Sequence, residues 1–361
     1  MLRRFIIFAS SFFFVRAWYV ENGSIYYDQN TLFSLRGLNW FGYETDCNIV
    51  QGLWVDTIDH FFSILANDIQ VNTLRIPFSD DTIRNWDQHP KPECLTANDW
   101  MNGISIKDSF HVFFQKAADA HIAIVLDFHT IGSDITDYLL SDSFTMDDTI
   151  YMWQLVMQEF IQYDNLLAID IKNEPHGDIT WSEWGSYASS IITYVRSQFP
   201  QYRGLFFVEG IQDKNSRSVW GGSFTDLHKW MMNIMPNNKV VFSPHIYGNS
   251  VRGDEASDDT YALFDYWFGD LRFKFPNNAV VIGEIGGMNI GDDLVWHIKI
   301  KNYLKKRGFN DAIYWCMNPN SGDTGGIMEY DWQTLNTRKI EFIHDLQPNM
   351  TLINFKPATP Y

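Results

Sequence analysis

A single α/β domain of the (β/α)8 TIM-barrel class is what three features of this 361-residue chain predict. Eight short apolar runs recur along it. Amphipathic helical patterns separate them. A polar residue stands at or just past the end of each run.

The runs, in order, are LFSLRGLN, TLRIPF, IAIVLDFH, LLAIDIKNE, GLFFVEG, KVVFSPHIY, AVVIGEIGG and AIYWCMN. They are continuous rather than alternating, as strands covered on both faces of a parallel sheet must be. After the first run, VDTIDHFFSILANDI sets Ile58, Phe62, Leu65 and Ile69 on one face of a helix. MWQLVMQEFI and WGSYASSIITYVRSQF repeat the pattern. No Ser/Thr/Pro-rich linker or shift in composition marks a second domain, so residues 18–361 are expected to form one barrel.

Before the first run, Arg3 and Arg4 precede an apolar stretch, Phe5 to Val15, too short to span a bilayer, and Val15-Arg16-Ala17 offers a cleavage site. Residues 1–17 are therefore expected to be a secretory signal peptide, and the mature protein to be a secreted, extracellular monomer. The net charge of −17 disfavours nucleic acid and anionic membranes and suits a neutral ligand. Aromatic content of 16%, with 14 Trp, supplies a core and also flat platforms of the kind sugar rings stack on. Of three cysteines, Cys316 lies in an apolar run, leaving Cys47 and Cys94 as the expected disulfide. Two glycosylation sequons begin at Asn22 and Asn349.

The residues that close the runs are Asn39, Arg75, His129, Asn173 with Glu174, Glu209, His245 with Tyr247, Glu284 and Trp315. Carboxyl ends of barrel strands share one face, so these positions are expected to ring one pocket. Glu174 closes the fourth run and Glu284 the seventh, on opposite sides of the mouth. Two facing carboxyls, one protonated and one ionised, suit glycoside hydrolysis. Arg75 is expected to hold Glu284 in a forked hydrogen bond, and Tyr247 to donate to the same carboxylate. Asn173 would hold a sugar hydroxyl and Trp315 would stack under the ring. His129 and His245 would bond hydroxyls or the second carboxyl. Glu209, in the apolar FFVEG, is expected to make a structural hydrogen bond.

Asp127 with His129 is a conceivable metal pair, with Glu174 or Glu284 as third ligand. H-E-x-x-H and a carboxylate-rich loop are both missing, so no metal and no cofactor are expected. G-x-S-x-G and the phosphate-loop patterns are missing too, which leaves serine-hydrolase and nucleotide chemistry unsupported.

KNEPHG and VIGEIGG, with RIPF, DFH, SPHIYG and YWCMNPNSGDTGG, resemble glycoside hydrolase family 5. LNWFGYET and SGDTGGIMEYDWQT are similar to its bacterial-type endo-β-1,4-glucanases, or cellulases. The likeness covers about residues 30–345. It implies a retaining double displacement, with Glu174 as acid/base and Glu284 as nucleophile. It implies supporting roles for Arg75, His129, Asn173, His245, Tyr247 and Trp315. Trp40, in NWFG, resembles a sugar platform in a neighbouring subsite; the alternative is a barrel-bottom or loop aromatic. The implied partner is a β-glucan polysaccharide or oligosaccharide. The same chemistry on β-mannan, xyloglucan or β-1,3-glucan is an alternative, and a glycan-binding barrel with little catalysis is another. Related cellulases often bridge the loops after the first and third strands. Cys47 matches the first partner, but HTIGSD lacks the second and Cys94 lies in a different loop.

Overall fold

In the computed structural model, residues 16–133, 139–141, 143–230 and 238–356 are described. The expected signal peptide, but for its last two residues, lies outside them. Three short strands come first: β1 (Trp18–Glu21), β2 (Ser24–Tyr27) and β3 (Thr31–Phe33), an antiparallel meander. Ten parallel strands follow: β4 (Arg36–Asn39), β5 (Thr73–Ser79), β6 (Ala123–Thr130), β7 (Leu166–Asp170), β8 (Leu205–Glu209), β9 (Val240–Ser243), β10 (His245–Tyr247), β11 (Ala279–Val280), β12 (Ile282–Gly286) and β13 (Ala312–Trp315). Their order is β10-β12-β13-β4-β5-β6-β7-β8-β9-β11.

These ten make eight barrel staves. β9 and β10 are one stave broken at Pro244, which has no N–H for the ladder. β11 and β12 are one stave broken at Val281. β9 pairs with β11 and β10 with β12. The ladder runs through both breaks, with Val281 N donating to Phe242 O at 3.0 Å and Gly283 N to Pro244 O at 3.0 Å. The sixth and seventh staves thus meet and close the barrel, which is the fold class expected. One run was longer than its stave. Leu32 and Phe33 of LFSLRGLN belong to β3, because the chain is apolar on both sides of the turn into β4.

Side chains along each stave alternate in direction, and this sorts them into two cores. Outward residues such as Leu74, Ile76, Ile124, Leu126, Phe206 and Phe242 pack under the helices. The main helices are Ile106–Asp119, Met146–Phe160, Trp181–Gln198, Gly291–Arg307 and Thr337–Leu346. Thr145 and Thr180 start two of them with capping boxes closed by Asp148 and Glu183. The face Ile58–Phe62–Leu65–Ile69 is buried as expected, although its helix, Ile58–Ser63, widens into a π-turn over Ile64–Asp68.

Inward residues are apolar at the amino end of the barrel and polar at the carboxyl end. Val125 is followed by Asp127 and His129, Ala168 by Asp170, Phe207 by Glu209, and Val241 by Ser243 and His245. The apolar layer includes Ala123, Val125, Leu167, Leu205, Phe207 and Ile313. Trp18, Val20, Ile25, Tyr27 and Phe33 of the meander cover it from below. Water is shut out of that end, and the polar end is left open. Cys47 and Cys94 form a disulfide with a Cα–Cα distance of 5.9 Å, and Cys316 is a buried free thiol.

Candidate active site

At the open end, Arg75 of β5 is fully buried and central. Its Nη1 donates to Glu284 Oε1 at 2.6 Å and to Asn39 Oδ1 at 3.1 Å. Its Nε donates to Asp170 Oδ2 at 2.9 Å. Its Nη2 donates to Asn173 Oδ1 at 3.0 Å and Glu209 Oε1 at 3.1 Å, and stands 3.0 Å from Asp127 Oδ1, out of line for a hydrogen bond. The forked bond to Glu284 that the residue types suggested is not made. Four carboxylates and two amides compete for one fan of N–H groups, so Glu284 receives one donor and not two.

The second donor to Glu284 is Tyr247, whose hydroxyl reaches Oε2 at 2.5 Å. Burial, and then the charges of Glu284 and Glu174, hold the Tyr247 phenol far above its ordinary range, so it remains a donor. Glu284 faces the mouth because β12 breaks its alternation. Val281 points inward and Glu284, three residues on, does so too; the register with β13 shifts between Ile282 and Ile285.

Glu174 lies just past β7 and has a left-handed backbone, φ 48°. Its Oε1 is 3.1 Å from His245 Nδ1, and the same nitrogen is 3.4 Å from Glu284 Oε2. One carboxylate oxygen of Glu174 and one of Glu284 lie within 4.8 Å of each other. Burial alone would lower the basicity of His245. The charges of Glu209 and Glu284 and the bond to Glu174 outweigh it and raise its pKa well above the usual range. His245 is therefore an imidazolium that donates toward both catalytic candidates.

His129 donates from Nδ1 to Asp127 Oδ2 at 2.6 Å. Burial opposes its charge, but Asp127 raises its pKa. Asp127 is held low despite burial by Arg75 and His129. Asp170 behaves oppositely: burial, then the charge of Glu209, pushes its carboxyl well up, against the charge of Arg75. Asn173 spends its amide oxygen on Arg75, and its Nδ2 lies 3.4 Å from His129 Nε2. Trp315 stacks on His129, with centroids 5.6 Å apart and planes at 11°, and fixes its Nε1 on Ser321 Oγ at 3.1 Å.

Trp40 is not at the site, which corrects the platform reading. It is fully buried, edge-on to Phe61, Phe62 and Phe113, with Nε1 on Gln51 O at 2.9 Å. Asn39 points inward, so its neighbour points outward into the helix layer. Phe41 takes the inner place and stacks 5.7 Å from Trp315.

Around these groups lies a cleft of about 670 Å³ lined by His129, Glu174, Trp220, Tyr247, Glu284 and Trp315, among others. Trp220 escaped the sequence reading because its loop has no periodicity. It is about a third exposed and stacks on His176 of KNEPHG, with centroids 3.9 Å apart and planes at 12°. His176 Nδ1 bonds the Glu174 carbonyl at 2.6 Å, so this aromatic pair flanks the Glu174 side of the cleft. Asp170 was also overlooked, since it lies inside its apolar run rather than past it.

Two groups of side chains have metal-like spacing, Asp170–Glu209–His245 and Glu174–His245–Glu284. Arg75 already occupies the first with bonds to both acids, and the imidazolium of His245 belongs to both. A dication would face two resident positive charges there.

Glu44, beside Asp127 and His129, adds a titration. Burial pushes its carboxyl up to about 7, against the charge of His129 and the N–H of Gly42 on Oε2 at 2.9 Å. A carboxyl whose folded pKa exceeds the unfolded one loses stability as pH rises between the two values, here from about 4.5 to 7. The loss is worth up to about 3 kcal/mol. Thermal unfolding should therefore show wild type falling behind Glu44→Gln as pH rises from 5 to 8. Parallel curves would remove Glu44 as the cause.

The family model for cellulase (glycosyl hydrolase family 5) matches residues 28–321. The major extracellular endoglucanase of Xanthomonas campestris pv. campestris is 28% identical over 340 residues, which is 88% of this chain and 69% of that protein. An endoglucanase of Paenibacillus polymyxa is 29% identical over 358 residues, 91% of this chain and 87% of that one. Among solved structures, the hyperthermophilic endocellulase of Pyrococcus horikoshii superimposes with a TM-score of 0.84 at 27% identity, covering 92% of this chain and 98% of its own. A variant of that endocellulase, solved with cellotetraose, gives a TM-score of 0.83 at the same identity and coverage.

Proposed function

The chain belongs to glycosyl hydrolase family 5, and from that premise we propose that it cleaves β-1,4-glucosidic bonds within glucan chains with net retention, using Glu284 as nucleophile and Glu174 as acid/base. It is a glycoside hydrolase of the endoglucanase type. The observation that carries the retaining reading is the short gap between the two carboxyls, whose nearest pairing lies within 4.8 Å. Retaining enzymes keep their carboxyls roughly 5–5.5 Å apart, and inverting ones roughly 6.5–9.5 Å to admit a water.

In the first step Glu284 attacks the anomeric carbon while Glu174 gives its proton to the departing sugar oxygen. Arg75 and Tyr247 each donate to Glu284 and hold it aimed. In the second step Glu174 takes a proton from water, which attacks the same carbon and frees Glu284. Trp315 lies under the reacting sugar, and Trp220 with His176 faces the leaving sugar on the Glu174 side. The chemistry needs no further group. One chain builds the whole site, which supports action as a monomer. Residues 1–17 serve as an export signal; the disulfide and the extracellular Xanthomonas relative support that reading.

Proton NMR of cellotetraose during its first minutes of hydrolysis tests the mechanism: the new reducing end should emerge as the β-anomer. An α-anomer emerging first would overturn it. Reducing-sugar release on barley β-glucan, carboxymethylcellulose, glucomannan, xyloglucan and laminarin, in parallel, ranks the substrate. Highest turnover on a polymer without β-1,4-glucosyl bonds would overturn the glucan assignment.

A further inference from the structure

Glu209 ends β8 fully buried, and the double displacement has no use for it. Two donors nevertheless bond it, and an imidazole stands close by. Its Oε2 accepts the backbone N–H of Glu174 at 2.7 Å. Its Oε1 accepts Arg75 Nη2 at 3.1 Å and stands 3.2 Å from His245 Nε2, out of line for a hydrogen bond. The first contact is unusual in its target. Glu174 is a glutamate in the left-handed backbone region, a conformation that side chains rarely adopt without local support. The carboxylate of Glu209 supplies that support at the peptide itself.

The neighbouring loop is shaped around the same contact. Gly221 has φ 67°, and a Cβ there would stand 2.6 Å from Glu209 Oε2 and 3.5 Å from Glu174 Cα. Its carbonyl accepts from Gly210 N at 2.9 Å and His245 N at 3.3 Å, tying the end of β8 to the start of β10. Glu209 is thus boxed in at the point where it touches the main chain of Glu174. The charge of Glu209 also helps keep His245 an imidazolium facing Glu174.

We propose that Glu209 is a positioning residue for proton donation: by anchoring the Glu174 peptide it sets that carboxyl against the leaving oxygen. The proposal rests on the acid/base role given to Glu174 above. It differs from a role routed through Arg75 to Glu284, which would hinder attack on every substrate alike.

Leaving-group dependence separates the two. Cellotetraose needs its leaving sugar protonated; 2,4-dinitrophenyl β-cellobioside does not, since dinitrophenolate departs unaided. Turnover of the first and the first-turnover release of dinitrophenolate from the second are to be measured for wild type, Glu209→Ala, Glu209→Gln and Glu174→Gln. Glu209→Ala should lose about 10²-fold on cellotetraose and stay within about five-fold of wild type on the aryl burst, since a positioned acid contributes roughly that much. Glu209→Gln keeps one acceptor for two donors and should lose about ten-fold on cellotetraose alone, which reads the role even where the alanine variant fails to fold. Equal losses on both substrates, or no loss, in the folded variants would overturn the proposal. Glu174→Gln is the control: a selective loss there with equal losses in the Glu209 variants sinks only the role of Glu209. Equal losses in Glu174→Gln would sink the acid/base assignment and this role together.

Discussion

Glu284→Gln is expected to lower turnover on barley β-glucan or carboxymethylcellulose by on the order of 10⁴-fold or more, with KM little changed. The amide cannot attack the anomeric carbon, so the step that makes the glycosyl-enzyme is lost, not weakened. Binding should persist, because the cleft's aromatic walls at Trp220 and Trp315 do not depend on that charge. Folding should persist too: Arg75 keeps its contacts with Asp127 and Glu209. The sharper check uses Glu284→Ala with added azide and an activated cellobioside. Azide entering the vacated space attacks from the nucleophile's face and should give the α-glycosyl azide. Glu174→Ala under the same conditions should give the β-azide, formed from the intact glycosyl-enzyme. The opposite pattern would exchange the two roles, and near wild-type activity in either variant would remove that residue from the mechanism.

The second large effect falls on stability. Arg75→Met should destabilise the fold by about 3–5 kcal/mol, the usual cost of leaving buried charges without their partner. In a chain of this size that is a fall of on the order of 5–10 °C in Tm. Asp127, Glu209 and Glu284 all contact this one guanidinium, and no second arginine touches any of them among the described residues. The sign of the pH dependence follows. The guanidinium holds the buried Asp127 carboxyl low; without it that carboxyl rises above its unfolded value, so the variant should lose most stability as pH rises and recover part of it toward pH 5. Arg75→Lys should rescue little, since a point ammonium cannot reach acceptors spread around a planar fan. A Tm within a degree or two of wild type for Arg75→Met would mean that the acids are compensated in another way.

Glu209 and Trp40 show where reading along the chain reached its limit. Both stand at or beside strand ends, and both are large. Alternation decided them: Glu209 shares the inward phase of Phe207, while Trp40 follows an inward Asn39 and so turns away. Phe41 then inherits the position beside Trp315. Glu284 would have been misplaced by alternation alone, because the register shift in β12 turns it inward. Trp220 and His176 come from separate loops, and no local pattern announces that they stack.

The order of apolar runs by itself determined the barrel, because strands buried on both faces must be continuously apolar and parallel strands need a crossover between them. It also determined which end carries the chemistry, since polar residues gather at one end of every run. Only the folded barrel decided how the charges are shared. Arg75 serves four carboxylates instead of gripping one, the Asp170 carboxyl is pushed up while that of Asp127 is held down, and Glu174 is held through its peptide. Those outcomes depend on distances of about 3 Å between residues as many as 209 positions apart and on the dielectric around them. Neither quantity is a property of the linear chain.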